Sequence, residues 1–176
     1  MTYPKKEERL VLTGTKRKTV TRCAKDVGEF AWLRANACVE LPNTDAVAEF
    51  PPVTSSGTAA AIFRSISQAH NLWVEHVSVL CLDSKNAPLG VFIVHLGGRN
   101  SSIVDVGVVL QHVIIAGSVG FILCHNHPSG DPTPSPDDHE ITDRLKAAAK
   151  LCNLALLDHI VLGRDSYTSF RDRHLL

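Results

Sequence analysis

The sequence predicts an α/β protein, a layered fold with one mixed β-sheet flanked by about three helices. Apolar runs of strand length at 73–83, 88–96, 119–124 and 154–163 alternate with segments of helical periodicity beginning near residues 55, 105 and 136. Strands and helices mixed in this way pack as layers around a shared core. Breakers at Pro42-Asn43 and Pro51-Pro52 place a boundary near residue 52. Residues 1–52 read as a basic, poorly ordered extension, and residues 53–176 as the folded domain.

At Ser55-Ser56 a cap is available, and Ala59, Ile62, Phe63, Ile66 and Ala69 follow at helical spacing, with an end expected near His70-Asn71. Trp73 to Asp83 then reads as a strand. Val77, Val79 and Cys81 alternate with Ser78, Leu80 and Leu82, so both faces are largely apolar and the strand is central. Glu75 and His76 are unusual at the start of such a strand. A carboxylate there is costly unless paired, neutral or in use; an exposed strand end is the simpler explanation.

Ser84-Lys85-Asn86 is a turn, and Pro88 to Leu96 the antiparallel return strand. Beyond Gly97-Gly98 a short strand is expected near Ser102-Ile103-Val104. Asp105 can cap a helix with Val106, Val109, Leu110, Val113 and Ile114 on one face. Val119 to Cys124 is a buried strand, and Ser135-Pro136-Asp137-Asp138 has Ser at N-cap, Pro at N1 and Asp at N3. Ile141, Leu145, Ala148 and Cys152 continue that helix's apolar stripe until Asn153 stops it. Leu154 to Gly163 and Ser166 to Phe170 supply the last strands.

Composition narrows the class. A hydrophobic content of 44% and charged content of 20% belong to a soluble globular protein. Net charge is zero, yet residues 1–25 hold eight Lys/Arg against two acids. That basic start is suited to nucleic acid, and a solvated extension explains it equally well. Five scattered cysteines without a C-x-x-C pair argue against a disulfide framework and for a reducing, cytoplasmic setting. No signal peptide is apparent. Val106 to Cys124 lacks charged residues, but Gln111, His112 and Gly117-Ser118-Val119-Gly120 interrupt it, so a membrane span is rejected.

The chemistry concentrates in His125-Asn126-His127-Pro128-Ser129-Gly130-Asp131-Pro132-Thr133-Pro134-Ser135-Pro136-Asp137-Asp138. Two histidines two apart at a strand end share a face. The proline-rich turn returns the chain so that Asp138 arrives on the first turn of the next helix. Two imidazoles and a carboxylate with a fourth position open to water is the design of a catalytic zinc site. Singly the signals are weak: H-x-H pairs occur by chance, and a capping box accounts for Asp138. Such a site also needs a general base and an oxyanion donor. Ser135, three residues before Asp138, is the candidate donor and Glu75, the odd carboxylate of the central strand, the candidate base; pattern alone does not connect Glu75 to a site fifty residues later.

The run HNHPSGDPTPSPDD, with H-x-H-x7-S-x2-D spacing, resembles the JAB/MPN metalloprotease motif and, more closely, its bacterial RadC branch. The likeness extends to Glu75-His76, Leu80-x-Leu82-Asp83, Thr142, Leu145, Leu157-Asp158-His159-Ile160 and Ser169-Phe170-Arg171, over about residues 53–176. It implies a cytidine-deaminase-like α/β sandwich and a zinc hydrolase of peptide or isopeptide bonds. His125, His127 and Asp138 match the metal ligands, Glu75 the acid–base glutamate, and Ser135 the serine that steadies the transition state. Two departures stand out. Gly107-Val108 occupy the place of a common Arg-Glu pair, and residues 1–52 lack the paired-helix DNA-binding pattern of longer members.

Rival readings fail on spacing. The H-x-E and P-C-x-x-C of zinc deaminases and the H-E-x-x-H of zincins are absent. Asn126 should point away from the histidine face, which excludes an H-N-H nuclease tripeptide. Cys124 should face the core. His159 reads first as a satisfied core histidine and second as a partner of a metal ligand. The alternative function is a DNA-repair or recombination accessory module that binds nucleic acid or a repair partner, with the metal site structural or vestigial. Intact Glu75 and Ser135 count against a vestigial site.

Overall fold

The computed structural model describes residues 50–67, 73–96 and 104–176. In chain order these form α1 (Ser56–Ser67), β1 (His76–Leu82), β2 (Pro88–Leu96), α2 (Val106–Ile115), β3 (Gly120–Asn126), α3 (Pro136–Leu151), β4 (Ala155–Leu162) and β5 (Tyr167–Ser169). The five strands lie in the order β2-β1-β3-β4-β5. β1 pairs antiparallel with β2 and β3, β3 pairs parallel with β4, and β5 returns antiparallel on β4. The expected mixed α/β sheet with three helices is therefore present.

Strand alternation divides the core in two. Leu80, Leu82, Ile122, Cys124, Ile160 and Leu162 pack against Ala59, Ile62 and Phe63 of α1. Val77, Val79, Cys81, Phe121 and Leu123 pack against Val109 and Val113 of α2 and Leu145 and Ala149 of α3. Helices thus cover both faces, which is why β1 and β3 are buried along nearly their whole length. Burying a side chain such as Phe63 or Leu145 stabilises the fold by about 1.5–3 kcal/mol each.

Several boundaries differ from expectation. β1 begins at His76, because its ladder opens with the His76–Leu96 pair; Trp73 and Val74 precede it and are exposed. Val104 is buried but belongs to no strand, and the rest of that expected strand lies outside the described residues. The end expected for α1 near His70-Asn71, and residues 1–49, also lie outside them. Ile114 turns to solvent on α2. Cys152 is exposed too: α3 has ended at Leu151, so Cys152 is its C-cap, followed by Asn153 in the left-handed region at φ 54°. Cys81, Cys124 and Cys152 are free thiols.

Candidate metal centre

The site lies on the α2/α3 side of the sheet, at the end of β3. His125 follows Phe121 and Leu123 on that face, while Cys124 faces the α1 core as expected. His127 is the first residue beyond β3, yet its N–H donates to the Leu162 carbonyl at 2.9 Å, extending the sheet's hydrogen bonding by one residue. That bond keeps His127 in step with His125, and their Nε2 atoms lie 3.0 Å apart.

The chain then turns through Gly130, at φ 85°, a left-handed conformation suited to glycine. The turn packs tightly on the end of β4: Arg164 N–H donates to the Gly130 carbonyl at 3.1 Å. It returns at Ser135, the N-cap of α3, in a complete capping box. The Ser135 hydroxyl accepts from Asp138 N–H, and the Ser135 N–H donates to Asp138 Oδ2 at 2.7 Å. The cap leaves the carboxylate facing the histidines. Asp138 Oδ1 is 3.1 Å from His125 Nε2, and Oδ2 is 3.5 Å from His127 Nε2.

One ligand atom from each of His125, His127 and Asp138 lies within 4.8 Å of the other two. Proton placement leaves the cluster able to hold a cation. His127 Nδ1 is 2.8 Å from the Asp131 carbonyl, which can only accept, so Nδ1 bears the hydrogen and the neutral ring aims an Nε2 lone pair inward. That lone pair and the Asp138 carboxylate face each other across 3.5 Å and repel unless a proton or metal ion lies between them. The proton leaves its mark on both groups. The Asp138 hydrogen bond raises the His127 imidazole above its ordinary pKa, against the opposing effect of burial. Burial opposes ionisation of Asp138, but hydrogen bonds from His125, His127 and the Ser135 backbone outweigh it and hold the acid far below the usual carboxylate range. Two imidazole nitrogens and one carboxylate oxygen form a set that could hold a metal ion.

The RadC-like JAB domain matches residues 53–175. The chain belongs to that family. UPF0758 proteins of Chloroflexus aggregans and Roseiflexus castenholzii are 37% identical over 127 residues and 40% identical over 120, covering 72% and 68% of this chain. A UPF0758 protein of Carboxydothermus hydrogenoformans is 43% identical over 101 residues, or 57% of the chain. The chain spans about half the length of these relatives, 55%, 51% and 45% respectively. As a RadC-like JAB domain it has the JAB/MPN type of fold, and its His-His-Asp group lies where a metal ion could be held.

Of the remaining expected residues, Glu75 and Ser135 line the same cavity of about 160 Å³ as His125, His127 and Asp138. The Ser135 hydroxyl also donates to Asp138 Oδ2 at 2.8 Å, so it orients the Asp138 carboxylate. Gly107 and Val108 form the first turn of α2, where Asp105 caps their N–H groups, and they do not line the cavity. Val77, Val104, Leu123 and Ile141 give the cavity an apolar wall.

Asn126 has a part that the sequence conceals. Turned away from the histidines, its amide accepts from His76 N–H at 2.7 Å and donates to the Val74 carbonyl at 3.1 Å. It thereby brackets Glu75, whose flanking backbone it ties to β3. No spacing rule announces such a contact across fifty residues.

Proposed function

We propose that this RadC-like JAB domain is a zinc-dependent hydrolase of amide or isopeptide bonds. The observation that carries the proposal is the convergence of His125 Nε2, His127 Nε2 and an Asp138 oxygen within 4.8 Å, beside a carboxylate-bearing cavity. Zinc bound by these three residues would supply Lewis acidity, bringing the pKa of a coordinated water to about 7. Glu75, on the cavity wall, is the group to accept the proton of the attacking water and pass it to the leaving amine. Its backbone is held on both sides by Asn126, which suits a base that must stay in register with its substrate. Ser135 can release its hydroxyl toward a developing oxyanion, since its N–H continues to hold Asp138. The Val77, Leu123 and Ile141 wall excludes water and receives apolar parts of a peptide.

An accessory role in nucleic-acid binding rests on the basic residues 1–25. Among the described residues the cavity lining has Glu75, Asp137 and Asp138 but no lysine or arginine, which suits an amide better than a phosphodiester. The test is hydrolysis by the zinc-loaded chain of a mixed library of linear peptides and lysine-branched isopeptides, read by mass spectrometry. New termini should appear and vanish in Glu75→Gln, whose zinc content should equal the wild type's. Product formation that persists in Glu75→Gln, or no product from either class of bond, contradicts the assignment.

A further inference from the structure

His159 on β4 is fully buried, and both of its ring nitrogens are engaged. Nε2 lies 2.8 Å from His125 Nδ1, and Nδ1 lies 2.7 Å from the Thr142 hydroxyl. The Thr142 hydroxyl in turn donates to the Asp138 backbone carbonyl at 2.5 Å. We propose that His159 is a positioning residue that selects the metal-binding tautomer of His125 and couples it to Asp138. The proposal rests on His125 and Asp138 being metal ligands.

The directions of the hydrogen bonds follow from the donor inventory alone. A carbonyl only accepts, so the single hydroxyl hydrogen of Thr142 is spent on Asp138. Thr142 Oγ1 must then accept from His159, which places the His159 hydrogen on Nδ1. His159 Nε2 is therefore an acceptor, and the hydrogen it receives is the one on His125 Nδ1. That leaves His125 Nε2, 3.1 Å from Asp138 Oδ1, as the nitrogen that would present a lone pair to a metal ion. With a metal ion held by both residues, the chain would close from the Asp138 carbonyl back to the Asp138 carboxylate. Two ligands from different elements are thus held by one ring of buried contacts.

Local structure has been shaped to bring His159 there. β3 and β4 pair Phe121 with Leu156 and then Ile122 with Asp158, so one extra residue, Leu157, is inserted on β4. Simple alternation from Leu156, which packs in the α2/α3 core, would put residue 158 on the site face. The bulge shifts the alternation by one and turns His159 inward instead, beside Leu123. Phe170 stacks on the ring at 4.7 Å between centroids, fixing its plane. On α3, Asp138 and Thr142 are four residues apart and share the face that meets it.

Two measurements test the assignment. In zinc-loaded, imidazole-¹⁵N-labelled protein, long-range ¹H–¹⁵N spectra should show His159 neutral with its hydrogen on Nδ1, and His125 with hydrogen on Nδ1. A His159 hydrogen on Nε2 would overturn the proposal. In parallel, zinc affinity is measured by chelator competition, and Co²⁺ spectra are recorded. His159→Phe removes the acceptor but keeps a ring, and should weaken zinc binding about 10- to 100-fold and shift the Co²⁺ bands. His159→Gln restores an acceptor toward His125 and should recover most of the loss. Unchanged affinity in a folded His159→Phe protein, or equal loss in both variants, would count against the proposal. If wild-type protein binds neither zinc nor Co²⁺, the metal assignment itself has failed, which these variants cannot mimic.

Discussion

Asp138 shows how much one side chain can be asked to do. It completes the capping box of α3, faces two imidazole nitrogens at 3.1 and 3.5 Å and offers its backbone carbonyl to Thr142. The first role is visible in Ser-Pro-Asp-Asp; the others depend on partners that arrive from β3 and β4. The same holds for His159, whose apolar surroundings in the sequence suit a core histidine and whose contacts prove to be with His125 and Thr142. At this scale the buried thiols make a prediction about pH. Burial raises Cys81 from 9.0 to about 12, partly offset by Ser118, and burial also raises Cys124 well above its ordinary value. A raised folded pKa means that the full contribution to stability is present below pH 9 and is lost as pH climbs toward 12. Stability should therefore fall above pH 9 by about 1.4 kcal/mol per pH unit per thiol. Urea unfolding of Cys81→Ala should show a shallower alkaline limb; an unchanged limb would mean that other groups control it.

At the scale of elements, the segments that surround the site are held by contacts outside it. Asn126 ties the lead into β1 to the end of β3. Asn126→Ala leaves the His76 N–H and Val74 carbonyl without their partner and should cost about 1–3 kcal/mol. Because Asn126 touches no ligand, the variant should bind zinc as tightly as wild type while losing hydrolysis with Glu75. Denaturant titration and chelator competition on the same sample separate these effects, and weakened zinc binding would place Asn126 in the metal centre instead. The histidine turn depends on Gly163: a Cβ there would lie 2.5 Å from the Gly130 carbonyl oxygen and 2.9 Å from Pro132 Cδ. Gly163→Ala must push the turn away from β4, and with it the Asp131 carbonyl that orients His127. A loss of about 1–3 kcal/mol is expected from such overpacking, together with weaker zinc binding. A variant with wild-type stability and affinity would show the turn to be compliant.

Across the whole molecule, the parts legible in the sequence are those governed by local periodicity and capping. β2 occupies Pro88–Leu96 as the alternation implies, and α3 begins at Pro136 behind its Ser135 cap. The convergence of His125, His127 and Asp138 was also readable, because strand alternation and a rigid turn act over few residues. Trp73 and Val74 fall outside β1, because apolar character cannot reveal where a ladder partner runs out. The Leu157 bulge was hidden because it is a property of two strands in register. Glu75 is tied to the site by a resemblance rather than by spacing, and it lines the cavity beside the histidines. We further propose that the folded domain begins near residue 53. A chain starting at residue 50 keeps Val53, whose N–H donates to Asn86 at 2.8 Å, and should unfold in one cooperative transition with wild-type metal affinity. Loss of cooperativity would assign residues 1–49 a part in the core.

The most direct measurement is the metal content of the purified chain, by plasma mass spectrometry after zinc exposure and desalting. About one zinc per wild-type chain and essentially none in Asp138→Ala is the expected result. No metal in the wild type, or undiminished metal in Asp138→Ala, would contradict a zinc centre at His125, His127 and Asp138.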